Sequence, residues 1–189
     1  MVIDANGLGV GLVDYMVKSQ IDPITGDTLP DFGVYDATFD GWEDEYKKYR
    51  SDICEDNAMY LIKANAPINT EAHSITQTWL NANKIQFLID ERVAKQKLLN
   101  TTKGKNMTPE ERKEYLIPYT LTGVLREEML NLREENEGLN IILKQANKSI
   151  KKDKFSSFEY AMYYIKQVED SGRKKKKKFK ASDWAKLYN

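Results

Sequence analysis

Two aspartates, far apart in the chain, stand where residue type and spacing could do chemistry. Asp4 follows the β-branched pair Val2-Ile3 and precedes Asn6-Gly7-Leu8-Gly9-Val10-Gly11. Leu8, Leu12, Tyr15 and Met16 then repeat at helical spacing, so the stretch reads strand, acid, tight turn, helix. In an open α/β sheet ligands and metals are handled where strands end and turn toward helices. Asp4 can serve there, or it can cap the helix through its backbone amides. Asp153 lies among Lys151, Lys152 and Lys154, just ahead of Ser156-x-x-Glu159, which has the spacing of a helix capping box. Its carboxylate either pairs with those lysines or binds a metal beside side chains that hold phosphates.

Other chemistries fit less well. Gly7, Gly9 and Gly11 do not make a dinucleotide fingerprint, because the third glycine position falls on Leu12 or Asp14. No Gly-Lys-Ser/Thr follows, which excludes a phosphate-cradling P-loop. Asp90 opens a predicted helix after a predicted strand and is read as an acid favoured by the helix dipole. The lone His73 has no second ligand at metal-binding spacing and is read as a surface or helix-packing residue. The single cysteine, Cys54, excludes a disulfide framework and a cysteine-rich zinc site and points to a reducing, intracellular setting.

The motif Asp4-x-Asn6-Gly7-x-Gly9-x-x-Leu12-x-Asp14-x-Met16 resembles the second acidic motif of the nuclease domain of phage terminase large subunits. In that family an acid and Asn-Gly-x-Gly lead into a helix bearing Leu-x-Asp-x-Leu. Lys152-Asp153-Lys154-Phe155-Ser156-Ser157-Phe158-Glu159-Tyr160-Ala161 resembles the family's last acidic motif. The two stretches lie about 150 residues apart, in the family's order.

The resemblance implies an α/β fold with a ribonuclease H-like mixed sheet flanked by helices, truncated at its N-terminus. Only Met1, Val2 and Ile3 precede Asp4, and nothing matches the family's first acidic strand and hairpin or its ATPase domain. Residues 1–171 are therefore expected to be a partial nuclease domain, from a split or truncated gene, and 172–189 a basic tail. The implied activity is metal-dependent endonucleolytic cleavage of concatemeric double-stranded DNA during genome packaging. Two hard ions, Mg²⁺ or Mn²⁺, prefer oxygen ligands and together activate water and stabilise the leaving oxygen. Asp4 takes the place of the family's second acid and Asp153 that of its third. Lys151, Lys152 and Lys154 are the DNA-binding candidates. The first acid has no counterpart, which ties activity to a completing part. The implied partners are the terminase ATPase part, the portal and the small subunit, in the cytoplasm of an infected or prophage-bearing bacterium. Two other functions fit the residues: a non-enzymatic DNA-binding or complementing fragment, and a small-molecule phosphate-binding α/β domain.

The elements that position these residues follow from pattern and composition. The 189 residues, 41% hydrophobic and 31% charged, suit one globular domain. Formal charge is zero, but from Lys148 onward thirteen Lys/Arg face five Asp/Glu, the asymmetry of a basic contact surface or tail. Lys174 to Lys178, with Phe179, Lys180 and Trp184, suits either backbone contact with nucleic acid or a solvated tail. The acidic stretch from Asp40 to Asp56 is read as solvated surface. No leader and no run of about eighteen apolar residues is present, so neither secretion nor a membrane span is expected. A turn is expected around Pro23 and Gly26, with short strands near Leu29 and Gly33-Val34-Tyr35. Further strands are expected at Met59–Ala64, Ile85–Ile89 and Leu139–Leu143. Helices are expected after Pro67, with Asn69 as N-cap, after Asp90, after Thr108 until Pro118, from Leu121 to a stop at Gly138, and after Ser156, with 100–107 a loop. From Met59 to Arg92 strand and helix alternate, so the strands at Met59–Ala64 and Ile85–Ile89 should lie parallel in βαβ units.

Overall fold

The computed structural model describes residues 1–46 and 56–176. Cys54, the middle of the acidic stretch and the lysine run beyond Lys176 lie outside the described residues. The chain is mixed α/β and divides into two compact units, one formed by Met1–Ile75 with the chain from Tyr160 onward, the other by Thr76–Glu159.

The first unit is built on three parallel strands, β1 (Val2–Asp4), β4 (Phe32–Ala37) and β5 (Asp56–Ile62), in the order β1-β5-β4. Alternation along β5 divides its apolar side chains between two faces. Met59 and Leu61 join Ile3, Val13, Val17 and Val34 on one face, beneath α1 (Leu8–Met16) and α2 (Trp42–Tyr46). Tyr60 and Ile62 join Ala72 and Tyr163 on the other, beneath the first part of α3 (Ala66–Asn81) and the later part of α7 (Asp153–Lys176). Both faces are covered, which is why β5 reads as a nearly continuous apolar run. The parallel partner expected for this strand at Ile85–Ile89 is not formed; β5 lies parallel to β1 and β4 instead. The turn at Pro23 and Gly26 joins β2 (Gln20–Ile21) to β3 (Thr28–Leu29) as an antiparallel hairpin; the Asp22 carboxylate accepts from Ile24 N at 2.8 Å and Gly26 adopts φ 76°.

The second unit holds α4 (Glu91–Leu99), α5 (Thr102–Asn106), α6 (Pro109–Leu130) and the hairpin β6 (Leu132–Glu137) and β7 (Asn140–Gln145). The capping box expected at Thr108 is present: Glu111 N donates to Thr108 Oγ1 at 3.2 Å and Thr108 N donates to Glu111 Oε2 at 2.7 Å.

Several expectations are corrected. Ile85–Ile89 forms no strand. Phe87 instead packs on Phe158, ring centres 5.8 Å apart, and Arg126 donates to Leu88 O at 2.5 Å, so side chains meet needs that a strand partner would have met. Asn65, not Asn69, caps α3, accepting from Ile68 N at 2.9 Å. The 100–107 stretch contains α5, capped by Thr101. Pro118 does not interrupt: α6 runs through it, the other twenty-one residues of the helix outweighing the lost hydrogen bond and the crowding of the carbonyl one turn back. Gly138 stops no helix; at φ 62° it turns the antiparallel β6–β7 hairpin, whose Glu137 and Asn140 face each other. Ser156 opens no capping box, because α7 begins three residues earlier and Ser156 N already donates to Lys152 O at 2.9 Å.

Candidate metal and nucleic-acid site

Asp4 ends β1 with an exposed side chain, opposite Ile62 in the parallel register with β5. From β1 the chain passes into α1, on the face of Met59 and Leu61; from β5 it passes into α3, on the opposite face. Two adjacent parallel strands whose following helices diverge leave a crevice between their C-terminal ends, where α/β sheets bind ligands. Asn6 ties the two strand ends together, its Nδ2 donating to Ala64 O at 3.1 Å, and Ala5 N donates to Ile62 O at 2.7 Å.

The Asp4 carboxylate accepts from Asn6 N at 3.0 Å and thereby shapes the turn itself. It does not cap α1: the residue at the cap is Gly7, with φ 55°, and no side chain bonds the helix start. The helix begins this close because Gly9 lacks a Cβ; one added there would lie 1.5 Å from Asp4 O. One carboxylate oxygen of Asp4 is engaged by the turn, and the other has no hydrogen-bond partner among the described residues.

Asp153 lies in the second unit, and it opens α7 instead of preceding it. Among the described residues none of the neighbouring lysines pairs with it. Lys152 donates to Leu143 O of β7 at 3.2 Å, Lys154 Nζ lies 3.8 Å from Glu128 Oε1, and Lys151 is exposed. The pairing alternative for Asp153 is therefore corrected: its lysines have been drawn toward a buried carboxylate and a strand carbonyl.

Sequence patterning hid that buried carboxylate. Glu128 is 3% exposed on α6, although Arg126-Glu127-Glu128 reads as a solvated helix face. Its Oε2 accepts from Phe155 N at 2.9 Å, so α6 supplies the acceptor for the first turn of α7, where amide hydrogens lack intrahelical partners. The spacing carried a signal: Glu128 stands seven residues after Leu121 and four after Val124, on the apolar stripe itself. Asn131 completes the seat. Its Nδ2 donates to Asn147 O at 2.9 Å, and its Oδ1 accepts from Asn147 N at 2.8 Å. Beside this seat a cavity of about 410 Å³ is lined by Asp153, Lys154 and Ser157 of α7 and by Leu121, Thr122 and Leu125 of α6.

The other candidates resolve as packing or capping. Asp90 caps α4, accepting from Arg92 N at 2.9 Å, and that bond holds its carboxyl below the ordinary aspartate range. His73 is buried on α3.

Asp4 and Asp153 both offer carboxylate oxygens to solvent, the donor type that Mg²⁺ and Mn²⁺ prefer. Each belongs to a different unit, and among the described residues no three His, Cys, Asp or Glu side chains gather where they could hold a metal ion. No helix among the described residues is long and apolar enough to cross a membrane. No family model, curated protein or solved structure matches the chain.

Proposed function

We propose that this chain is part of a metal-dependent DNA endonuclease with a ribonuclease H-like fold, of the kind found in phage terminase large subunits. It would cut concatemeric double-stranded DNA during packaging into a procapsid, with the ATPase part, the portal and the small subunit as partners in a bacterial host. The observation that carries the proposal is the exposed Asp4 carboxylate at the C-terminal end of β1, beside β5, whose following helix packs on the opposite face of the sheet from α1; ligands of α/β sheets bind at such strand ends. In this reading Asp4 and Asp153 supply the oxygen ligands. A bound Mg²⁺ or Mn²⁺ would lower the pKa of a water and neutralise charge on the phosphate being cleaved. Lys151, the exposed cation next to Asp153, would hold the DNA backbone, with Lys152 and Lys154 joining it after release from Leu143 and Glu128.

A second reading is favoured by the exposed Lys151 beside Asp153, a cation that can meet a DNA phosphate without a metal: a fragment that binds DNA, or completes another chain, without cutting. Incubating the intact chain with duplex DNA and Mn²⁺ separates the two. Cutting that is lost in Asp4→Asn and in Asp153→Asn, with DNA binding retained, supports the endonuclease. Binding without cutting supports the passive fragment. Thermal stabilisation by nucleotides with no affinity for DNA supports a small-molecule phosphate-binding domain instead.

A further inference from the structure

The second unit carries a concentration of positive charge that the site above does not use. From Arg92 through Pro109 stand five basic residues, Arg92 included, and no acidic one. Arg92 pairs with the capping Asp90, but Lys95, Lys97, Lys103 and Lys105 are exposed and their ammonium groups have no ion pair among the described residues. Lys113, on the first turns of α6, is likewise exposed and unpaired.

The backbone that carries these cations is held in place by local structure. Arg112 donates from Nε to Gly104 O and from Nη2 to Lys105 O, each at 3.1 Å, and so ties α5 to the start of α6. Gly104 seats α5 against α4, for an added Cβ would lie 2.0 Å from Leu98 O. Thr101 fixes the entry by accepting from Gly104 N at 2.9 Å. Lys103 and Lys105 flank that buried glycine, so their Cα positions are set by packing while their side chains reach solvent. Beside them a groove of about 510 Å³ is bordered by Lys95, Arg112 and Lys113, with Glu91 the one acid on its lining and Leu116 and Ile117 beneath.

We propose that the surface formed by α4, α5 and the start of α6 is a contact for the phosphate backbone of duplex DNA, made by Lys95, Lys103, Lys105 and Lys113. Exposed cations with no ion pair among the described residues lose little on meeting phosphates and release the counter-ions condensed on the DNA, a sequence-independent attraction that weakens with salt. Arg112 acts as a positioning residue for this surface, since its guanidinium is spent on two carbonyls. The assignment rests on the reading of the chain as a DNA-acting protein and adds to it a second contact, on residues that share no hydrogen bond or ion pair with Asp4, Asp153 or Glu128.

The test compares the full chain with the quadruple variant Lys95→Gln, Lys103→Gln, Lys105→Gln, Lys113→Gln by fluorescence anisotropy on a labelled 30-base-pair duplex across a salt series. The lysine run after Gly172 is common to both proteins, so the difference reports this surface alone. The variant should bind at least about tenfold more weakly at low salt, and its plot of log affinity against log salt should be shallower by roughly 3 to 4, the loss of four phosphate contacts. The matching Lys→Arg quadruple variant keeps the charges and should bind as the parent does. Unchanged affinity and slope in the Gln variant, with the parent binding, overturn this surface and leave the endonuclease proposal standing. A parent that fails to bind duplex DNA overturns both.

Discussion

Gly9 and Asp4 are in backbone contact: a Cβ at position 9 would stand 1.5 Å from the Asp4 carbonyl oxygen. The acid at the strand end and the helix that follows are thus locked to each other by the absence of a side chain. Gly9→Ala cannot be absorbed by a flexible group, because the obstacle is main chain. It should cost more than about 3 kcal/mol, beyond ordinary overpacking, or abolish folding of the first unit. Gly11 on the same helix has nothing within 4 Å of an added Cβ, and Gly11→Ala should stabilise by about 0.5–1 kcal/mol through helix propensity. Urea unfolding of the two variants, read as opposite shifts in midpoint at unchanged slope, checks both.

That contact was partly legible in the sequence. Val2-Ile3-Asp4 followed by a glycine-rich turn and a helical stripe yields strand, acid and helix in their observed places, because local pattern and tertiary packing agree there. What escaped are features decided by contacts distant in sequence. Ile85–Ile89 has strand composition but its Phe87 finds Phe158 and Arg126 instead of a neighbouring strand. Glu128 reads as surface until the amide of Phe155, twenty-seven residues away, is placed against it. Pro118 and Gly138, both helix breakers by residue type, show that a breaker's effect depends on what surrounds it.

The seat of α7 gives a second prediction. Glu128→Ala removes the acceptor for Phe155 N–H in a buried setting and leaves Lys154 without its acid, so a loss of about 1–3 kcal/mol is expected. Glu128→Gln retains an oxygen at that place and should lose less. Denaturant unfolding orders the variants, and amide exchange at Phe155 should quicken in the Ala protein. Equal stability of the Ala variant and the parent would exclude Glu128 as a support of the helix that carries Asp153.

Alkaline pH should weaken the first unit through its tyrosines. Burial, with the nearby Tyr163 and Asp36, pushes Tyr60 from 10 up to about 12, and burial also raises Tyr35 and Tyr163. A folded pKa above the unfolded one means that the unfolded chain releases its protons first. The stabilisation is therefore complete below pH 10 and declines as pH climbs toward 12. Tyrosinate absorbance followed with circular dichroism should show a late-titrating class that ionises together with loss of structure. Tyr60→Phe should reduce the dependence on pH across that interval, whatever it does to stability at neutrality.

Whether Asp4 and Asp153 serve one ion is a question of coupling, and coupling can be measured without activity. If both carboxylates hold the same Mn²⁺, removing either takes away most of the affinity, and removing the second costs little more. The double variant Asp4→Asn, Asp153→Asn should then bind Mn²⁺ about as weakly as each single variant, a large departure from additivity. If each aspartate binds by itself, the two losses are independent and the double variant shows their sum. Electron paramagnetic resonance of free Mn²⁺ reads the affinities directly, and unfolding of each variant by urea confirms that the sites are compared in folded protein. Additive losses would remove the basis for a shared metal centre and with it the endonuclease proposal, while leaving the lysine surface on α4, α5 and α6 to be judged by its own salt dependence.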